Sequence, residues 1–226
     1  MGTDDPEKKL PACTVTRLSE PVDVPPEQRL VQRALGHGEV LVLGRDGGSL
    51  HDASGGLVRA WRFEPRFPGW DPSLSALGNQ LRTAVSGTGD VFFVADETLA
   101  RFRTDADALD ALGELPMAPE RIAASERGEL VATVSLGLRA WVFRVADGFV
   151  SGPYRWTSPY PGGPDELRFH ADDSELVVTT SYTTPLGDDA WDLHAWTIDL
   201  PFRPPRPRVD ARRRGRAVRA RRAASR

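Results

Sequence analysis

Residues 128–145, GELVATVSLGLRAWVFRV, decide how this chain is read. The stretch opens on a glycine and an acid, runs through a β-favouring apolar segment, turns at Gly137 and ends in a strand centred on Trp141. Successive side chains of a strand point to opposite faces, so Trp141 and Phe143 share one face while Leu138 and Ala140 share the other. Apolar residues on both faces mark a strand covered on both sides, as in small sheets stacked face to face.

The same phrase occurs three more times. Turns at GHGEVLVLG (from Gly36), SGTGDVFFVA (from Ser86), SERGELVATV (from Ser125) and ADDSELVVTT (from Ala171) each place an acid, Glu39, Asp90, Glu129 or Glu175, before an apolar run. Each is followed by an aromatic-centred strand, LVRAWRF, TLARFRT, GLRAWVF or DLHAWTI, carrying Trp61, Phe102, Trp141 and Trp196. Alanine precedes three of these aromatics, at Ala60, Ala140 and Ala195, leaving room for a neighbouring sheet. The aromatics are 41, 39 and 55 residues apart, close to the roughly 40–45 residues of a four-stranded blade. Two insertions, RDGGSLHDASGG in the first unit and YTTPLGDDAWD in the fourth, read as long face loops over 44–57 and 182–191. The Asp147-Gly148 turn predicts a hairpin into an outer strand, GFVSGPYRW, for unit three. Prolines in PFRPPRPR deny unit four an outer strand of its own from that segment.

The turn Ser-x-x-Gly, the apolar run and then Leu-x-x-Trp resemble tryptophan-aspartate (WD) repeat propellers. Ser86–Gly89 and Ser125–Gly128 match the turn, and Trp61, Trp141 and Trp196 match the third-strand tryptophan. Arg62, Val142 and Thr197 stand where that family has aspartate, which makes the resemblance a divergent one. It implies an all-β fold, a propeller-like array of about four antiparallel blades over residues 30–202. The leader, 1–29, offers the strand CTVTRL (Cys13–Leu18) to complete unit four and close a small ring. Two chains forming one ring, or a piece of a larger propeller, are the other ways to finish the array. Compositional bias toward Arg, Ala, Pro and Gly, with two Ile and one Asn in the whole chain, fits a truncated or frameshifted reading frame.

The net charge of −3 conceals an asymmetry: residues 203–226 carry eleven arginines against Asp210, a balance of +10, and residues 1–202 carry −13. The Arg/Pro/Ala-rich tail reads as disordered. Its cluster Arg212, Arg213, Arg214 and Arg216 is a candidate for salt-sensitive binding of nucleic-acid phosphates. Apolar runs are far shorter than the ~20 residues of a membrane-spanning helix, and the polar start lacks a secretory pattern, so no membrane association and a bacterial-type cytoplasmic residence are expected. A lone Cys13 excludes an internal disulfide and reads as incidental.

Arg82 and Arg121 stand eight residues before their unit's acid, with Arg168 one step away. Equivalent positions on successive blades surround the central channel, so these three form a candidate anion-binding rim. His37, His51, His170 and His194 are too dispersed for a metal site, and His51-Asp52 and Asp188-Asp189 read as solvated loop residues. No nucleophile elbow, zinc-protease helix or phosphate-cradling loop is present, and no cofactor is expected. The functional expectation is a non-catalytic scaffold that binds a protein partner through its face loops. Alternatives are a propeller-type hydrolase or lyase with a central metal near His170, and nucleic-acid association through the tail.

Overall fold

The computed structural model describes residues 10–135, 137–155, 165–183 and 191–200. It consists of four antiparallel sheets joined in sequence order. Sheet 1 contains β1 (Thr14–Leu18), β2 (Arg29–Ala34), β3 (Val40–Gly44), β4 (Gly47–His51) and β5 (Leu57–Glu64) in the order β1-β5-β4-β3-β2. A short helix, α1 (Ala76–Leu81), leads into sheet 2, a meander of β6 (Thr83–Val85), β7 (Val91–Ala95), β8 (Thr98–Arg103) and β9 (Ala108–Glu114). Sheet 3 repeats that meander with β10 (Arg121–Ala124), β11 (Leu130–Ser135), β12 (Arg139–Arg144) and β13 (Phe149–Arg155). Sheet 4 comprises β14 (Glu166–Phe169), β15 (Glu175–Thr183) and β16 (Trp191–Asp199). The Asp147-Gly148 hairpin forms as the sequence indicates, with Gly148 at a φ of +66°. In register, Trp141 lies opposite Thr133 and Trp196 opposite Val178, each on the third strand of its sheet.

Side-chain alternation explains why the sheets stack. On β7, Val91, Phe93 and Ala95 point toward sheet 1, where they meet Leu41, Leu43, Trp61 and Phe63 in one core. Phe92 and Val94 point the other way, onto Val131, Trp141 and Phe143 of sheet 3. Sheet 3 in turn directs Leu130, Ala132, Val134 and Val142 onto Leu167, Leu176 and Val178 of sheet 4. Four sheets are thus held by three inter-sheet cores. The innermost strands pack β2 on β6, β6 on β10 and β10 on β14, and no contact of similar extent joins β14 to β2 among the described residues. The described residues thus form an open arc.

Polar groups reinforce the first interface. The indole nitrogen of Trp61 donates to Asp107 Oδ1 at 2.6 Å, and Asp107, in the β8–β9 turn, also faces Arg17 at 3.7 Å and Arg59 at 3.9 Å. Arg59 further donates to the carbonyls of Thr104 and Asp105. One aspartate on sheet 2 therefore ties down both outer strands of sheet 1. Phe67, from the segment joining the two sheets, is fully buried and packs at 5.0 Å on Phe63 and 4.6 Å on Phe93.

Three expectations from the sequence are corrected. The leader strand does not complete unit four; Thr14–Leu18 pairs with β5, from Thr14 opposite Glu64 to Leu18 opposite Ala60, and becomes the fifth strand of sheet 1. The chain then runs from the outer to the inner edge of that sheet, placing Val22 against Gly47 and Val24 against Gly44. Residues 44–57 are not a face loop, because Gly47–His51 is strand β4, which moves Trp61 to the fourth strand of its unit. Its glycines reflect crowding rather than turning: a Cβ on Gly48 would lie 2.6 Å from the Val42 carbonyl and 2.7 Å from Leu43 Cδ1. Cys13, expected to be incidental, packs half-buried against the first core, and burial pushes its thiol pKa up. Of the second loop, 182–191, residues 184–190 lie outside the described residues, as does the tail from 201 onward, including Arg212, Arg213, Arg214 and Arg216.

Phe102 is fully buried and meets Trp61 and Phe63 edge-on at 5.3 and 5.4 Å. Phe102→Ala should therefore cost about 3–5 kcal/mol in urea unfolding, whereas Leu77→Ala, at a site 62% exposed, should stay within about 0.5 kcal/mol.

Candidate functional site: the central cavity

The four sheets can be aligned on the turn that follows each innermost strand. In every case a backbone N–H reaches back three residues: Gly38 to Leu35, Gly89 to Ser86, Gly128 to Ser125 and Asp173 to His170, at 2.9–3.2 Å. The turn serines of sheets 2 and 3 are fully buried, and their hydroxyls accept the backbone N–H of Asp90 and Leu130 at 3.2 and 3.0 Å. These bonds fix how each innermost strand is presented to the centre of the arc.

The strands so presented line an open cavity of about 770 Å³. Two residues before each turn position stand Arg33, Ala84, Ala123 and Arg168, and all four line the cavity. The end sheets thus contribute guanidinium groups, and the middle sheets contribute methyl groups that leave space between them. Arg33 donates to the carbonyl of Val85 and to Glu126 Oε2, the latter at 3.2 Å, and so touches sheets 2 and 3 from sheet 1. Arg29, also lining the cavity, donates to Gln32 Oε1 at 2.6 Å and the Val24 carbonyl at 3.2 Å, while its Nε is buried without a hydrogen-bond partner. Gln80 of α1 donates to the Arg29 carbonyl at 2.9 Å and holds that strand end in place. Arg168 lies 3.5 Å from Glu166, and both side chains are more than half exposed.

Of the three arginines expected at a basic rim, only Arg168 reaches the cavity. Arg82 pairs with Asp71 at 3.5 Å and borders a separate pocket of about 200 Å³ beside Trp70. Arg121 borders a small depression of about 140 Å³ with Glu166 and Leu167. Counting from the acid of each unit aligned Arg82 with Arg121 correctly, but those residues stand one position before the stretch that lines the cavity. Counting from the turn N–H pairs Arg168 with Arg33 instead, a residue the sequence reading missed together with Arg29.

His170 follows β14, lines the cavity and places Nδ1 3.0 Å from Asp172 Oδ1. The Ser174 hydroxyl, donating at 2.6 Å, and then His170 hold the Asp172 carboxyl well below the usual carboxylate range. Among the described residues no group of three His, Cys, Asp or Glu side chains converges as a metal site, and no helix is long and apolar enough to cross a membrane.

Neither a protein-family model nor a curated protein matches this chain. Among solved structures it is similar to Hsv2 from Kluyveromyces marxianus, at 15% identity and a TM-score of 0.50, over 83% of this chain and 51% of the other. It is also similar to the tricorn protease, at 12% identity and a TM-score of 0.51, over 83% of this chain and 17% of the other. Hsv2p from Kluyveromyces lactis aligns at 14% identity and a TM-score of 0.47, over 75% of this chain and 49% of the other. The chain spans about half the length of the Hsv2 proteins it resembles. With four antiparallel sheets arranged around a centre, the fold is a divergent β-propeller-like array.

In sheet 4 the turn position is held by Asp173. It adopts a φ of +58° where the other sheets have Gly38, Gly89 and Gly128 at +80°, +90° and +71°. Asp173 is buried, its Oδ1 has no hydrogen-bond partner, and burial pushes its pKa up. The native state thus binds this proton more tightly than the unfolded chain. Wild-type stability from this group is full below the ordinary carboxylate pKa and is lost as pH rises through the elevated native value. Asp173→Gly should raise stability by about 1 kcal/mol at neutral pH, with the gain shrinking toward about pH 4, as read by urea unfolding across pH.

Proposed function

We propose that this chain is a non-catalytic interaction module that binds a protein partner at the sheet 4 end of its arc. The reading rests on the unequal treatment of the two ends. Sheet 1 is finished by a fifth strand, and the leader packs Val22 and Val24 onto it. Sheet 4 has three strands among the described residues, with β16 paired on one side by β15. On its side away from sheet 3, Val177 is half-buried and lies opposite the exposed Thr197. Terminal units of a repeat array need a cover, since each unit otherwise leaves one face bare. An edge strand with free backbone groups recruits another strand. The partner this end suits is a protein that presents a β-strand or a further small sheet.

The full chain should either exceed monomer mass in light scattering or co-purify with a protein in defined stoichiometry. Val177→Glu with Thr197→Arg should remove that association at unchanged circular dichroism. A wild-type chain that stays monomeric and alone, or an association indifferent to both substitutions, would overturn the reading.

A further inference from the structure

The central cavity carries a second inference, independent of the sheet 4 end. Residues 1–202 have a net charge of −13, yet among the described residues lining this cavity stand Arg29, Arg33 and Arg168 against the acid Glu126. A cleft lined mainly by one sign of charge focuses its field between low-dielectric walls and raises the local concentration of oppositely charged ligands. The cavity, at about 770 Å³, lies within the ~300–1,000 Å³ range of small-molecule sites.

We infer that the cavity binds a small ligand carrying two negative charges, a dicarboxylate or a phosphate group, held between Arg33 and Arg168. Guanidinium forks match both groups bidentately. Arg33 uses one nitrogen on the Val85 carbonyl and another on Glu126, so its position is fixed before a ligand arrives. Among the described residues Arg168 is held through an exposed contact with Glu166, so exchanging that carboxylate for a ligand carries little cost. Arg29 adds positive charge and a buried Nε that has no partner. Ala84 and Ala123 provide the gap in which an anion sits. His170, with one ring nitrogen on Asp172, has the other to offer as a donor or acceptor.

Calorimetric titration of the full chain with succinate, inorganic phosphate and neutral succinamide tests this. Saturable one-to-one binding of succinate or phosphate, and none of succinamide, is expected; the stronger of the two identifies the anion class. Arg168→Gln should weaken that binding at least tenfold with unfolding temperature unchanged in the absence of ligand. Replacing Arg212, Arg213, Arg214 and Arg216 together by alanine should leave it intact. Absence of saturable binding of either dianion, binding insensitive to Arg168→Gln, or binding abolished by the tail substitutions would overturn the inference.

Discussion

The constraint on which this structure depends is that a sheet of three or four short strands cannot bury its apolar side chains by itself. Sheets 2 and 3 carry such residues on both faces: Phe93 opposes Phe92 on β7, and Val131 alternates with Leu130 and Ala132 on β11. Each face therefore requires another sheet, and the array grows until something ends it. At the first sheet the leader segment packs Val22 against Gly47 and Val24 against Gly44. Small residues make the close stacking possible, as Ala100, Ala132 and Ala140 are completely buried at the sheet faces.

Aromatic packing makes the first interface the heaviest of the three. Trp61, Phe63, Phe67, Phe93 and Phe102 meet in edge-on and tilted pairs 4.6–6.4 Å apart. The Trp61–Asp107 hydrogen bond adds direction to this contact, because a buried indole N–H must find an acceptor. In the third core the fully buried side chains among the described residues are alanine, valine and leucine, with Tyr154 and Phe169 packed against them.

Much of the fold was legible because the repeated phrase couples a turn with two-faced apolar strands, and that coupling is a physical signature of stacked sheets. Phe102 and Trp141 sit on the strands where the repeat puts them. Trp61 satisfies the same spacing from a different strand, since β4 is disguised by glycines that exist for close backbone approach. The leader was misplaced because a strand's alternation reveals that it pairs, not which edge it joins. Nor could spacing from an acid locate the cavity: Arg33 and Arg168 become equivalent only through the backbone hydrogen bonds of their turns. Arg29 carried no repeat signal at all.

Among the described residues the sheets form an open arc in which the inner sheets are covered on both faces and sheet 4 on the face toward sheet 3. Amide hydrogen exchange on the full chain tests it most directly. Slowest exchange is expected in β7, β8, β11 and β12, with β16 faster by at least tenfold at the amides not bonded to β15. Protection of β16 equal to that of β7 and β11 in the isolated monomer would contradict the open arc and mean that the fourth sheet is covered after all.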